Sequence, residues 1–490
     1  MTIEVPSSYT VVGAHITTNS TRFTYTGVSR ASDEYAYYDF GAGYFSTRFY
    51  MEGQFQITGH SGASPKSVTY GYTDTLNDWG GTTNQCGGAH RLDGAGTTLT
   101  DYAALREGGV SADIQGGVAL ALSTTHYFRT GLYSGLGGQY GAVVTEIFSD
   151  ASRATLLERI IKARTTAATY QYAIFGQSLT TGSAMTITGY DENITLYSST
   201  AGAVLTGGTE TDPNTKLVVY ADCIQATGLS VDSVTNGATH VSLDYGAGFF
   251  ADYKVSGILN ITNFTNGATG AKMFDILAVT DAASDALAAN DLQGISINWV
   301  SASTFTPYIH QAVGGIDTYS SAGPTLNVSN GTTVFSPYSY VLERSGTTLT
   351  LKIYNDLELT NFSGTSQVGS TVTWTGRAST TYRYLMPVST DLFGATNRNS
   401  TFTIGGVKVG VAGEGSLAGD IVTTASFVGS GGAVSTLEGS VVTTASFIGA
   451  SVNDGVLAGT SVVTASFVGE LFSAGSANLN GNIVTTASFA

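Results

Sequence analysis

The chain has 490 residues, of which only 11% are charged and 11% are aromatic, with 62 Gly, 7 Pro and a formal net charge of −16. So many aromatic residues argue against disorder, and the length asks for more than one core. The acidic balance, with no Lys or Arg after Lys408, excludes duplex nucleic acid as a partner, because that binding rests on phosphate neutralisation.

Taken in chain order, the N-terminus MTIEVPSSYT shows no basic region leading into an apolar run, and no 18-residue apolar stretch follows anywhere. No membrane insertion is predicted. Assembly in a host cytoplasm and release by lysis is the expectation.

A duplication then organises the first 410 residues. TGVS from Thr26 precedes YDFGAGYF around Asp39, and GQFQIT ends at Thr58. The same order returns as TGLS from Thr227, LDYGAGFF around Asp244, and GILNIT ending at Thr262. EIFSD to Asp150 and TYQY from Thr169 are echoed by KIYND to Asp356 and TYRY from Thr381. The predicted units are 1–198 and 199–411.

Within both units the pattern alternates over four to eight residues. In TTLTLKIYND, Leu349, Leu351 and Ile353 share one face while Thr350, Lys352 and Tyr354 share the other. Two tandem antiparallel β-sandwiches are predicted. One helix is expected, over Ala151–Arg164, where Ser149 or Asp150 can cap and Leu156, Leu157, Ile160 and Ile161 form a stripe.

From 412 to 490 a short repeat takes over. LAGDIVTTASF, LEGSVVTTASF, LAGTSVVTASF and LNGNIVTTASF end at Phe427, Phe447, Phe467 and Phe489, at intervals of 20, 20 and 22 residues. Each reads as one strand and a Gly-containing turn, too small to bury a core alone. Leu417, Leu437, Leu457, Leu479 and the four phenylalanines are the predicted oligomerisation positions. An intertwined trimeric stalk is favoured, with a β-solenoid as the alternative.

Few residues carry chemistry. Cys86 and Cys223 belong to no C-x-x-C pair and read as buried, inert thiols. His15, His60, His90, His126, His240 and His310 are solitary and read as packing or surface residues. Asp191, Glu192 and Asn193 offer oxygens that calcium could use, but a solvated loop is the plainer reading. The recurrent D-[FY]-G-A-G-[YF]-F segment is the most suggestive: its glycines allow a bulge or a close backbone approach beside aromatic rings. Asp39, Tyr44, Asp244 and Phe249 are therefore candidates for a ligand platform, set against a structural bend that duplication copied. No cofactor or metal is implied.

YVLERSGTTLTLKIYND, from Tyr340 to Asp356, and TTYRYL, from Thr380 to Leu385, together with the weaker HYFRTG and EIFSDASR of the first unit, resemble the concanavalin A-like lectin/glucanase superfamily in its laminin-G-like form. The resemblance implies jelly-roll sandwiches and glycan binding or scaffold use. Sandwiches followed by Thr- and Ala-rich repeats resemble fibre and capsid-decoration proteins of tailed phages, which implies a non-enzymatic virion surface protein, a homo-oligomer with other virion proteins as partners. The superfamily's glucanases carry E-x-D-x-x-E on one strand; here ETD at Glu210–Asp212 runs into Pro213 and lacks the third acid, so hydrolysis is not expected. A cellular adhesin and a polysaccharide depolymerase are the rival readings.

Overall fold

The structure is a computed structural model. It describes residues 6–411, apart from 30–33, 62–65, 77–83, 93–97, 178–185, 200–204, 214, 231–238, 266–270, 284–290, 315, 329–336, 356, 358–366, 377–380 and 391–398, and beyond 411 the paths of eight strands between Ser416 and Phe489. Among the described residues there is no α-helix, only strands and two short 3₁₀ turns. Among the same residues, no helix is long and apolar enough to cross a membrane.

The alternating segments form two sandwiches in tandem. In the first, one sheet runs in spatial order Thr10–Val12, Tyr35–Asp39, Tyr172–Gln177, Lys66–Thr73, Gln85–Leu92, Leu99–Glu107, Ile114–Gln115. Its partner runs Leu156–Ala163, Ala142–Phe148, His126–Tyr133, Arg48–Ser61, Thr186–Ser199, Arg22–Ser29, Ile16–Thr18. The second sandwich repeats both orders. One sheet is Thr209–Thr211, His240–Asp244, Tyr384–Ser389, Ala271–Thr280, Leu292–Ser301, Thr304–Val313, Ile316–Tyr319. The other is Val372–Trp374, Thr348–Tyr354, Tyr338–Ser345, Tyr253–Thr265, Asn399–Val411, Cys223–Ser230, Leu217–Val219. All pairings in the four sheets are antiparallel, and the fold class is all-β with two jelly-roll sandwiches. The inward positions of facing sheets make separate cores: Phe23, Phe49, Phe55, Tyr72 and Phe128 in the first, Ile224, Leu259, Ile295, Leu342 and Ile404 in the second.

The helix expected over Ala151–Arg164 is instead a turn and an edge strand, Leu156–Ala163, paired to Ala142–Phe148. The Asp150 carboxylate caps the turn, accepting the backbone N–H of Ala154 at 3.1 Å and Thr155 at 2.7 Å. The apolar stripe misled because the strand is covered on both sides. Ile160 enters the first core, while Ile161 packs on the cluster of Tyr50, Tyr133, Val144, Ile258 and Leu357 that joins the sandwiches. Two-sided burial erases the period of two and leaves adjacent apolar pairs that imitate a helical face.

That joint is also polar. The fully buried Arg159 guanidinium donates to Glu146 Oε1 at 2.6 Å, to Pro337 O at 2.7 Å and to Asn355 O, and Arg48 donates to Leu357 O at 2.7 Å. Gly135 passes so close to the second sandwich that an added Cβ would lie 2.5 Å from Gly406 N. Charge-assisted bonds to backbone carbonyls fix the two bodies against each other.

Each C-terminal repeat supplies two strands, not one. They build two four-stranded parallel sheets, Ser416–Val422, Val434–Val442, Asp454–Gly459, Ala477–Gly481 and Ala425–Gly429, Ala445–Gly449, Ala465–Gly469, Ala487–Phe489. Register is strict: Leu417, Leu437, Leu457 and Leu479 are successive partners, as are Phe427, Phe447, Phe467 and Phe489. The side chains of this segment lie outside the described part. The pairing is the stacked, one-chain arrangement of a solenoid, the alternative to the intertwined strands favoured above, because identical repeats satisfy each other's backbone groups in register.

Candidate functional site

Strand Tyr35–Asp39 ends with Asp39 opposite Tyr172, and His240–Asp244 ends with Asp244 opposite Tyr384. The Asp39 carboxylate accepts the Gly41 N–H at 2.8 Å and the Gln171 amide at 2.8 Å. Asp244 accepts the Gly246 N–H at 2.9 Å and takes Arg383 in a two-pronged pair at 2.7 and 2.6 Å. These bonds, from the Gly246 amide and above all the guanidinium, hold the Asp244 carboxyl down at about 2.

Both turns use glycine for conformation. Gly41, Gly43, Gly246 and Gly248 have φ of 92°, 72°, 94° and 76°, and a Cβ at Gly41, Gly246 or Gly248 would meet nothing within 4 Å. Close backbone approach, one of the two expectations, does not occur there. The turns lift one ring outward and send the next inward: Tyr44 is 44% and Phe249 37% exposed, while Phe45 and Phe250 are buried and bridged to Tyr170 and Tyr382. Tyr44 leans on Phe40 and Phe45 at 5.0 and 4.8 Å, and Phe249 on Tyr245 and Phe250, both at 4.9 Å. Each sandwich thus holds an outward aromatic ring braced by neighbouring rings and an Asp-held turn.

Ser46 and Thr47, the residues that follow the first turn, line a cavity of about 680 Å³ with Asp74, Asn84, Tyr140, Arg164 and Asp222. Asp74 is fixed by the Asn84 N–H at 2.9 Å and side-chain amide at 2.6 Å. Arg164 donates to Ala168 O at 3.1 Å and lies over the Tyr170 ring at 5.6 Å. Burial pushes the Asp222 carboxyl up, against the Ser134 hydroxyl bond. The cavity offers donors and acceptors of both signs, and its lining begins two residues after the exposed Tyr44. Its lining comes from six separated stretches, of which Ser46 and Thr47 follow one noted motif and Thr169 begins another.

Two solitary histidines are more than packing. His90, wholly buried, stands between Asp101 at 3.2 Å and Asp191 at 3.0 Å, with Tyr70 donating to Asp101 and Tyr25 to Asp191. Its ring stacks between Phe55 at 4.0 Å and Tyr70 at 4.6 Å. Burial opposes its charged form, but the two carboxylates prevail and raise it to about 9. His310 is held likewise by Asp275 at 2.8 Å and Asp317 at 3.2 Å. Asp191, expected in a solvated loop, is therefore a buried strand residue, and Glu192 beside it pairs with Arg22 and Gln54. Asn193, at φ 54°, lies in a bulge of the same strand, between Glu192 and Thr195. No group of three or more His, Cys, Asp or Glu able to hold a metal occurs among the described residues. Cys86 and Cys223 are free and buried, and burial pushes both thiols up to about 12.

No family model matches the chain, and no curated protein does. Among solved structures it is similar to a legume lectin-like domain from Entamoeba histolytica, at 12% identity over 44% of this chain and 100% of that one, with a TM-score of 0.29. Mouse laminin alpha1 domains LG4-5 match at 8% identity over 78% and 88%, TM-score 0.23. A carbohydrate esterase from the Shiga toxin-encoding bacteriophage phi24B matches at 13% identity over 41% and 88%, TM-score 0.25. Scores this low carry no functional weight.

Proposed function

We propose that the chain is a non-enzymatic glycan-binding surface protein whose two sandwiches present paired platforms. One observation supports this above all: an outward aromatic ring on an Asp-held glycine turn occurs twice at equivalent places, Tyr44 and Phe249, the former followed two residues on by the lining of a hydrogen-bonding cavity. A ring face takes the apolar side of a sugar and nearby amides and carboxylates take its hydroxyls. Individually weak contacts gain from repetition, first within the chain and then through a homo-oligomer, the trimer being favoured.

The repeat segment serves in this reading as the anchoring and oligomerisation element, on a fibre, spike or capsid decoration at a phage virion surface. Its support is the sequence resemblance and the stacked repeats, a shape suited to a stalk. A cellular adhesin would use the same sandwiches, and detection of the protein in purified particles separates the two. Binding itself is tested on a glycan array with the Tyr44→Ala/Phe249→Ala chain. Loss of roughly tenfold or more in signal is expected; undiminished binding, or release of reducing ends from a bound polysaccharide, refutes the proposal.

A further inference from the structure

We propose that the cleft between the two sandwiches is a second binding site, separate from the aromatic platforms, for a neutral polyhydroxyl ligand such as a saccharide unit. The cleft encloses about 440 Å³ and takes walls from both bodies. Glu158, in its lining, is only 6% exposed. One carboxyl oxygen accepts the backbone N–H groups of Gly117 and Val118; the other, Oε2, is buried and has no hydrogen-bond partner. Room for it is made by the sequence, since a Cβ at Gly116 would stand 2.2 Å from that oxygen. A buried carboxyl oxygen without a partner is costly, and a ligand that hydrogen-bonds to it recovers the cost.

The chemistry of the walls selects the ligand. From the second sandwich, the outer sheet face brings Gln225, Asn260 and Thr403 into the lining, groups that both donate and accept without charge. The one cation in the lining, Arg159, has its guanidinium engaged by Glu146, Pro337 and Asn355. Ile114 and Ile161 supply an apolar strip. Burial raises the Glu158 carboxyl, which favours its neutral form and disfavours a bound metal ion. A ring with hydroxyls on its rim and C–H groups on its face matches this set, and the clamped sandwiches hold the walls in place before it arrives.

The test uses the full chain carrying Tyr44→Ala/Phe249→Ala, so that the platforms are silent and their failure is separable from this one. Saturation-transfer NMR is run with glucose, galactose, mannose and N-acetylglucosamine. At least one sugar should receive transfer; Glu158→Gln should weaken it roughly tenfold, and Ala163→Trp, which fills the cleft mouth from an exposed position, should abolish it. Gln225→Ala with Asn260→Ala repeats the test from the other wall. Absence of transfer for all four sugars, transfer that survives both wall changes, or calcium binding that Glu158→Gln removes would overturn the assignment.

Discussion

The two sandwiches share a strand order but fill the same places differently. When their strands are aligned by register, Tyr25, Tyr70, His90, Asp101 and Asp191 of the first core correspond to Ala226, Leu277, Ile297, Pro307 and Ile404 of the second. One copy buries an ionisable network where the other buries hydrocarbon. The second sandwich has an Asp–His–Asp set of its own, but on the other side of a sheet: Ile309, not His310, points into its core. The fold evidently does not require the network, since the same architecture closes over aliphatic side chains. What the network adds is a cost if the histidine is lost, because the two carboxylates are then sealed without a counter-charge.

That contrast gives the largest expected effect. His90→Ile, copying the second core at one position only, leaves Asp101 and Asp191 buried without a counter-charge and should destabilise the first sandwich by about 3–5 kcal/mol. Adding Asp101→Ala and Asp191→Ile should recover most of the loss. Calorimetry that follows the unfolding of each sandwich checks both; a single change as mild as the triple one would break the comparison.

The same residues respond to pH. His90 is raised from 6.5 to about 9, so the folded state holds its proton more tightly than the unfolded chain does. Its contribution is complete below pH 6.5 and is lost as pH rises through 9, a change on the order of 3 kcal/mol. Asp101 is also raised, by burial first, and acts in the same direction at lower pH. The first sandwich should therefore weaken between pH 6.5 and 9, and the His90→Ile/Asp101→Ala/Asp191→Ile chain should not. Urea unfolding across that range decides, and equal slopes in parent and triple variant would count against the network.

How much of this the sequence revealed depends on how local each signal is. The duplication was legible because its motifs sit at turns and strand ends, where Asp39, Gly41 and Gly43 or Asp244, Gly246 and Gly248 are required by backbone geometry and so persist together. The networks were not, since Asp101 and Asp191 reach His90 from different strands and one from the opposite sheet. Leu156–Ala163 was misread because its outer face is covered by a second body that its own pattern does not mention. The repeats showed their period but not their pairing: twenty residues hold two strands, and only stacking distinguishes them from one strand and a long turn.

The smallest effect lies at the surface, where the side chain that holds the turn's aspartate differs between the copies. Asp39 is held by the neutral Gln171 and Asp244 by the cationic Arg383, each on a turn of the same shape. An exposed ion pair is weak and screened by salt, so Arg383→Gln should leave the second turn folded. Its trace should be electrostatic. The Asp244 carboxyl lies at about 2, below its ordinary 3.8, so the pair's contribution is present above pH 3.8 and fades as pH falls through 2. With glutamine in place of Arg383, the largest cause of the depression is gone and only the Gly246 amide and the new neutral bond remain, so the carboxyl should titrate closer to 3.8 and its midpoint should lose its dependence on salt. Carbon-13 NMR of Asp244 in both chains measures this directly. A midpoint unmoved by the substitution would mean that the turn's own amide, common to both copies, sets the acidity, and the distinction drawn between Gln171 and Arg383 would collapse.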